Sequence, residues 1–350
     1  MSKPPQLHIA TYHYVRDLPR TRFPKIKGML LDDFRAQVKK LPDVYEMATL
    51  QSALEFLSGR YVPQRDLCLM TFDDGLREHY DAVTPILAEE QIQGLFFLIT
   101  GGMEDGIVAP VHMNHFLMAH LGFEEYRLVF EKALRDLGYA DQLDKQTDPI
   151  VARRTYPLDT DEVARFKYLF NFALDPKVRD LTVRTLFETH LGDEKAFSHE
   201  LYLNWGEAKE MQRAGMIMGG HTHEHRPLAT LRYSELSGDL TRNWELIQKN
   251  LNPQATWPFS YPYGKADSFN RNTVEILRQL GYRISLCTEP GNNLPGIDLF
   301  ALRRVDCKDI LATSARASEI TEKPGVSKGS PEPQRQLDST AYLNPATPVA

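Results

Sequence analysis

The sequence predicts an α/β protein, a distorted (β/α)7 TIM-like barrel carrying a helical insertion, and two observations lead there. Short apolar runs recur along the chain with helix-period segments between several of them, the alternation of a mostly parallel sheet or barrel. From about residue 103 to 200 that rhythm stops, and helical patterns follow one another without a convincing strand.

Strand-like runs occupy Leu7 to Tyr12, Leu67 to Phe72, Gly94 to Thr100, Met216 to Gly220, Trp257 to Tyr261, Tyr282 to Cys287 and Phe300 to Val305, seven in all, a number that suits barrel-like closure. The second run, Leu67-Cys-Leu-Met-Thr-Phe, has the short apolar length of a buried strand and ends abruptly in two carboxylates and a glycine. Met-Gly-Gly220 suits a strand ending in a sharp turn. Apolar spacing near 3.6 marks residues 32–42, 80–92, 206–214, 233–250 and 268–280 as helices between strands. Inside the insertion the same spacing covers Asn114 to Leu137 and Asp161 to Leu191.

The expected organisation is therefore a discontinuous barrel of residues 1–102 and 202–312, a helical cap of residues 103–201 beside the mouth, and a tail of residues 313–350. The tail is rich in Ser, Thr, Pro, Glu and Lys and poor in large apolar side chains, so it is expected to be disordered.

A chain of 350 residues can bury a substantial core, and 42% hydrophobic with 25% charged residues fits a soluble globular protein. A net charge of −6 provides no basic footprint for nucleic acid. No run approaches the roughly 20 apolar residues of a membrane helix, so no transmembrane segment is expected. The opening Met-Ser-Lys-Pro-Pro-Gln-Leu-His lacks the apolar core of a secretory signal, which makes the cytoplasm the expected compartment. Cys68, Cys287 and Cys307 are too few and too scattered for a disulfide framework or a cysteine zinc site, and are expected as reduced thiols.

The chemistry gathers at strand ends. Asp73 and Asp74 are adjacent, so their side chains diverge; one can bind a metal while the other faces a water. His221 and His225, four apart after the glycine pair, can approach one cation from a turn or tight loop. One Asp with two His leaves a coordination position open, the arrangement of a catalytic rather than a structural zinc. Asp-Asp-Gly alone is a common turn and a His pair alone is often surface decoration. Their joint placement at two strand ends favours the metal site, with His223 between the ligands pointing elsewhere.

These residues resemble the polysaccharide deacetylases of the NodB-homology type, carbohydrate esterase family 4. Thr71-Phe-Asp-Asp-Gly75 is similar to the family's first motif and His221-Thr-His-Glu-His225 to its second, while Phe259-Ser-Tyr-Pro-Tyr-Gly264 resembles its third. Asn204-Trp-Gly-Glu-Ala-Lys-Glu-Met-Gln-Arg-Ala-Gly215 and Arg226-Pro-Leu228 add to the likeness, which covers roughly residues 6–102 and 202–308. The resemblance implies a NodB-type barrel, with Asp73 as general base. It also implies Asp74, His221 and His225 as ligands of a divalent metal, usually zinc with cobalt, nickel or manganese as alternatives. The backbone N–H of Tyr263 would help hold the oxyanion.

Two departures matter. The third motif usually opens near an Arg, where this chain has Phe259-Ser260; Arg16 or Arg304 is the expected replacement in orienting Asp73. The usual C-terminal Leu-x-x-His supplies the general acid, yet no histidine follows His225. His13 ends the first expected strand and would emerge on the rim that carries Asp73. Circularly permuted members such as bacterial poly-N-acetylglucosamine deacetylases likewise resemble this chain in a Tyr-His near the start, so His13 is the expected acid. His112, His115 and His120 are weaker candidates, and His79 is expected on a helix face without a chemical role. Tyr14, Trp205, Tyr261 and Tyr263 are candidates for stacking on a sugar ring.

The expected activity is metal-dependent removal of an N-acetyl group from an amino sugar, free, nucleotide-linked or lipid-linked, during cell-surface glycan biosynthesis. Hydrolysis of another C–N bond, formyl or cyclic amide, and an inactive sugar-binding homologue are the alternatives.

Overall fold

The computed structural model describes residues 4–145 and 147–312. Seven parallel strands form one curled sheet: β1 (Leu7–Tyr12), β2 (Leu67–Phe72), β3 (Gly94–Leu98), β4 (Ile217–Gly220), β5 (Pro258–Ser260), β6 (Ile284–Leu286) and β7 (Val305–Asp306). Their order is β7-β1-β2-β3-β4-β5-β6, and a short strand, Glu46–Met47, pairs with the start of β2. Leu302 then bridges Leu286 of β6 before the chain enters β7 beside β1, which joins the two ends of the sheet. Only this last seam is irregular. The run expected as a strand from Phe300 contributes one bridge and two strand residues, because a turn at Asp298 to Ala301 precedes it.

The helices of the barrel lie between the strands as the apolar spacing predicts. Leu31–Val44 and Leu50–Leu57 follow β1, Thr84–Glu89 follows β2, Trp205–Arg213 precedes β4, and Tyr233–Asn250 and Arg271–Leu280 follow β4 and β5. The helix at Leu50–Leu57 had not been expected. Thr49 and Ser52 close it with a reciprocal capping box, a signal that lay in the sequence.

Strand register decides which residues share the rim. β1 and β2 run in step from Leu7 opposite Leu67 to Tyr12 opposite Phe72, so His13 and Asp73 leave the sheet side by side. Below them the rings of Tyr12, Phe72 and Phe96 stack across three strands, with centroids 4.9 Å and 4.7 Å apart, and all three are fully buried. Each such ring stabilises the fold by about 1.5–3 kcal/mol through area removed from water. They pack between the sheet and the helix Leu31–Val44, whose Phe34 meets the Tyr12 and Phe72 rings edge-on. In β4, Gly219 and Gly220 are required by space: a side chain would strike Pro258 and Phe97 at the first, Tyr282 and Asn243 at the second.

Helices from Pro110 to Leu201 stand over the rim. The pattern expected as one helix from Asn114 is two, Pro110–Leu121 and Phe123–Asp136, because Gly122 takes a left-handed φ of 83°. The pattern from Asp161 likewise breaks before Pro176, where the Asp175 side chain accepts from the N–H groups of Lys177 and Val178 and caps a new helix, Pro176–His190. These helices bury their own apolar cluster, including Phe116, Tyr126, Phe130, Phe187 and Phe197, and it continues into Tyr14, Phe23 and Leu76 of the barrel rim. The tail of residues 313–350 lies outside the described residues. Among the described residues no helix is long and apolar enough to cross a membrane, and the three cysteines are buried and unpaired.

Candidate active site

Asp73 is held from two sides. The guanidinium of Arg304, itself 1% exposed, donates Nη1 to Oδ1 at 2.8 Å and Nη2 to Oδ2 at 2.7 Å. Ser260 Oγ, at the end of β5, donates to Oδ2 at 3.1 Å, and Arg304 Nε donates to the Cys287 carbonyl at 3.0 Å. Burial alone pushes the Asp73 carboxyl up, but Arg304, with His221 and His13, outweighs it and lowers its pKa to about 2. A forked guanidinium contact fixes the plane of the carboxylate as well as its charge.

Arg16, the other arginine considered for this task, is elsewhere. It forks onto Glu78 at 2.6 and 2.9 Å because it sits in a two-residue strand, Val15–Arg16, beyond the rim. His13 reaches the site, with Nε2 3.8 Å from Asp73 Oδ2 and its side chain about half exposed. His79, expected to be idle, is fully buried and its Nε2 donates to the His13 carbonyl at 3.0 Å, fixing that loop from beneath.

Asp74, His221 and His225 form the one group among the described residues whose side-chain donors converge as a metal site requires, all within 4.8 Å and all buried. Asp74 takes a left-handed φ of 80°, which turns its side chain away from that of Asp73. Its Oδ1 lies 3.4 Å from His221 Nε2 and 3.5 Å from His225 Nε2, and the two Nε2 atoms are 3.2 Å apart. His221 Nδ1 donates to the Ser260 carbonyl at 2.7 Å, which aims its Nε2 at the cluster.

The electrostatics fit a cation. Burial lowers the His221 pKa, but the carboxylates of Asp73 and Asp74 outweigh it and raise it, so the cluster draws positive charge. His225 moves down, through burial and then its neighbour His221. Asp74 Oδ1 is buried without a hydrogen-bond partner, an orphan acceptor pointing at two imidazole nitrogens. An oxygen and two nitrogens so arranged suit zinc and its borderline neighbours better than magnesium or calcium.

The histidine loop is built to hold its shape. Thr222 and His225 adopt left-handed φ of 67° and 55°, and Thr222 Oγ accepts from the His225 N–H at 2.9 Å. Asp239 accepts from the N–H groups of His223 and Glu224, while the Asn243 amide donates to the carbonyls of Leu98 and Thr222 and to Thr100 Oγ. His223 turns outward to Asp105 at 3.0 Å.

A cavity of about 400 Å³ opens over these groups, lined by His13, Asp73, Asp74, His221, His225 and Tyr263 on the barrel side. Tyr263 has a left-handed φ of 63°, and its turn is pinned where Thr288 Oγ donates to the Tyr263 carbonyl at 2.7 Å. Among the described residues its N–H has no hydrogen-bond partner. Its phenol donates to Asn171 of the cap at 3.1 Å.

Tyr261 does not line the cavity. It is fully buried behind β5, stacked 3.8 Å from Phe269 and donating to the Phe300 carbonyl, since Ser260 faces Asp73 and alternation along the strand turns Tyr261 to the opposite side. Trp205 also lies off the cavity, donating to Glu104. Tyr14 lines it, as do two histidines of the cap, His112 and His115. His120 is exposed on the far side of the same helix. His112 is the residue that sequence reasoning undervalued: its Nε2 lies 3.1 Å from Asp74 Oδ2.

The polysaccharide deacetylase family model matches residues 61–123 and 184–285, which include both acidic residues, the histidine loop and the Tyr-Pro-Tyr-Gly turn. YxkH of Bacillus subtilis (strain 168), a protein named for the same family, is 28% identical over 126 residues, 36% of this chain and 44% of that one. The chain thus spans less than half the length of this curated relative. Two solved structures share the fold. The Streptococcus pyogenes deacetylase PplD in complex with acetate aligns at a TM-score of 0.54 and 17% identity, over 89% of this chain and 99% of its own. IcaB from Ammonifex degensii aligns at 0.54 and 20%, over 90% and 98%. With the motif residues converging on one rim of a matching barrel, the chain is similar to the polysaccharide deacetylases in its motif-bearing segments and shares the fold of these structures.

Proposed function

We propose that the protein is a metal-dependent hydrolase that removes the N-acetyl group of an amino sugar. The observation that carries the reading is the pairing of a permanently ionised carboxylate, Asp73, with a buried cluster of one carboxylate and two imidazoles at the bottom of the same cavity. Asp74, His221 and His225 would hold the cation. When bound, it supplies Lewis-acid polarisation of the acyl oxygen and acidifies water.

The chain's own residues divide the remaining work. Asp73, kept ionised and in plane by Arg304 and Ser260, accepts the proton of the attacking water. The free N–H of Tyr263 donates to the oxygen as it becomes negative, in a turn already fixed before substrate arrives. His13, exposed at the rim within 3.8 Å of Asp73, delivers a proton to the departing amine. The cap closes the far wall with Tyr156 and Asn171, and this partial enclosure suits a single or end-presented sugar.

The substrate we propose is an intermediate of cell-surface glycan biosynthesis met in the cytoplasm, free, nucleotide-linked or lipid-linked. Lys27 and Lys167, which share Asp159, and Lys265 line the cavity, and these cations suit a phosphate-bearing carrier. Incubation of the purified protein with zinc or cobalt and a panel of N-acetyl and N-formyl sugars, neutral and phosphate-linked, tests the reading by acetate and formate release. Acetate release that chelator stops and metal restores is expected. Formate release alone would redirect the assignment to another C–N bond, and sugar binding without hydrolysis would make the protein an inactive homologue.

A further inference from the structure

The cap contributes a side chain to the cation cluster itself. Pro110–Leu121 begins next to the rim, and its third residue, His112, is 1% exposed, with its ring stacked against His225 at 5.9 Å. Its Nε2 is 3.1 Å from Asp74 Oδ2, and its Nδ1 is 2.6 Å from the hydroxyl of Tyr202, the residue on which the cap returns to the barrel.

The hydrogens in this chain of contacts have one consistent assignment. Tyr202 Oη accepts from the Ala109 N–H at 3.1 Å. His112 Nδ1 is the acceptor available for the phenolic hydrogen among the described residues. Nδ1 is therefore an acceptor, Nε2 carries the proton, and Nε2–H donates to Asp74 Oδ2. Tyr202 is itself immobile, since its ring fills the space where a side chain at Gly102 would stand, and it is 2% exposed.

Asp74 consequently has one oxygen occupied and one free. Oδ2 is held by His112, while Oδ1 has no partner and faces the Nε2 atoms of His221 and His225. Without a donor on Oδ2 the carboxylate could rotate about its last bond and present either oxygen or both. We propose that His112, fixed by Tyr202, is a positioning residue that presents Asp74 Oδ1 to the cation, making the helical cap part of the metal centre. The inference rests on the metal reading given above and extends it to residues outside the three ligands.

Competition for zinc between the purified full chain and a chromophoric chelator tests it without recourse to turnover, alongside thermal unfolding of metal-stripped protein. His112→Phe is expected to weaken zinc binding about 10–100-fold, the usual effect of losing a residue that orients a ligand. His112→Gln, whose amide nitrogen can occupy the place of Nε2, should restore affinity to within about threefold. Tyr202→Phe should weaken binding in the same direction, and it decides the matter if His112→Phe does not fold. Wild-type zinc affinity in Tyr202→Phe together with His112→Phe, or equal losses in the Phe and Gln variants that track reduced unfolding temperature, would overturn the proposal. A wild-type chain that fails to compete for zinc overturns the metal reading itself, a separate result from tight binding by every variant.

Discussion

Replacement of Arg304 by Met probes the contact on which the ionised state of Asp73 depends. The pair is almost completely buried, with side chains 0% and 2% exposed, so solvent screening removes little of the interaction. Lowering a carboxyl from 3.8 to about 2 corresponds to roughly 2–3 kcal/mol of preferential stabilisation of the charged form. Met fills much of the volume and leaves a buried carboxylate with only Ser260 as donor. Removing one partner of a buried ion pair costs about 3–5 kcal/mol, a large share of the 5–15 kcal/mol that ordinary domains possess.

The pH dependence follows from the signs. In the wild type the folded-state pKa of Asp73 lies below its unfolded value, so its stabilisation is complete above about pH 4 and is lost as pH falls through about 2. In Arg304→Met, burial acts without the guanidinium and raises the folded-state pKa above the unfolded one. The variant's penalty is then present at neutral pH and shrinks on acidification as Asp73 takes a proton. Urea unfolding of metal-stripped wild type and Arg304→Met at pH 8 and pH 4.5 measures this difference. A loss below about 1 kcal/mol at pH 8, or one that grows on acidification, would refute the account of Asp73.

Asp73→Asn keeps the shape of the side chain but cannot accept a proton, so turnover should fall by at least about 10²–10⁴-fold while dialysis finds zinc still bound. His13→Ala should lower acetate release by about 10²–10⁴-fold with zinc affinity intact, and a rate near wild type would remove His13 from the role of acid. Asn243→Ala deprives the carbonyls of Leu98 and Thr222 of a buried donor and strands the Tyr282 hydroxyl. It should cost about 2–4 kcal/mol in urea unfolding, and a loss under about 0.5 kcal/mol would show that the histidine loop does not depend on this amide.

The strands were legible because parallel, doubly buried segments must be apolar throughout, and β2 with all six residues buried is the plainest case. The acidic pair and the histidine loop were legible because strand ends and glycine turns mark a rim. Arg304 and Arg16 could not be separated by sequence, since both follow strand-like runs and only the register of β7 beside β1 brings one of them under Asp73. Tyr261 lies off the cavity because nearness to a motif does not fix a face: Ser260 takes the Asp73 side of β5, so Tyr261 takes the other. His79 and His112 depend on contacts 66 and 38 residues away in sequence, made only when the chain folds back on itself. A usable signal for His112 did exist: Pro110 at a helix start, soon after a strand that ends on the rim.

Among the described residues, four of the five non-glycine positions with left-handed backbone are Asp74, Thr222, His225 and Tyr263. Each departs from the conformations its side chain favours, at about 1–3 kcal/mol. Selection for heat resistance alone would therefore find ready gains here by admitting glycine, and each gain would remove a ligand, its supporting hydroxyl or the ring that meets the cap. A thermostable variant obtained without an activity screen should accumulate its losses at these four positions, so stabilising libraries for this protein are best directed away from the rim and into the outer helices.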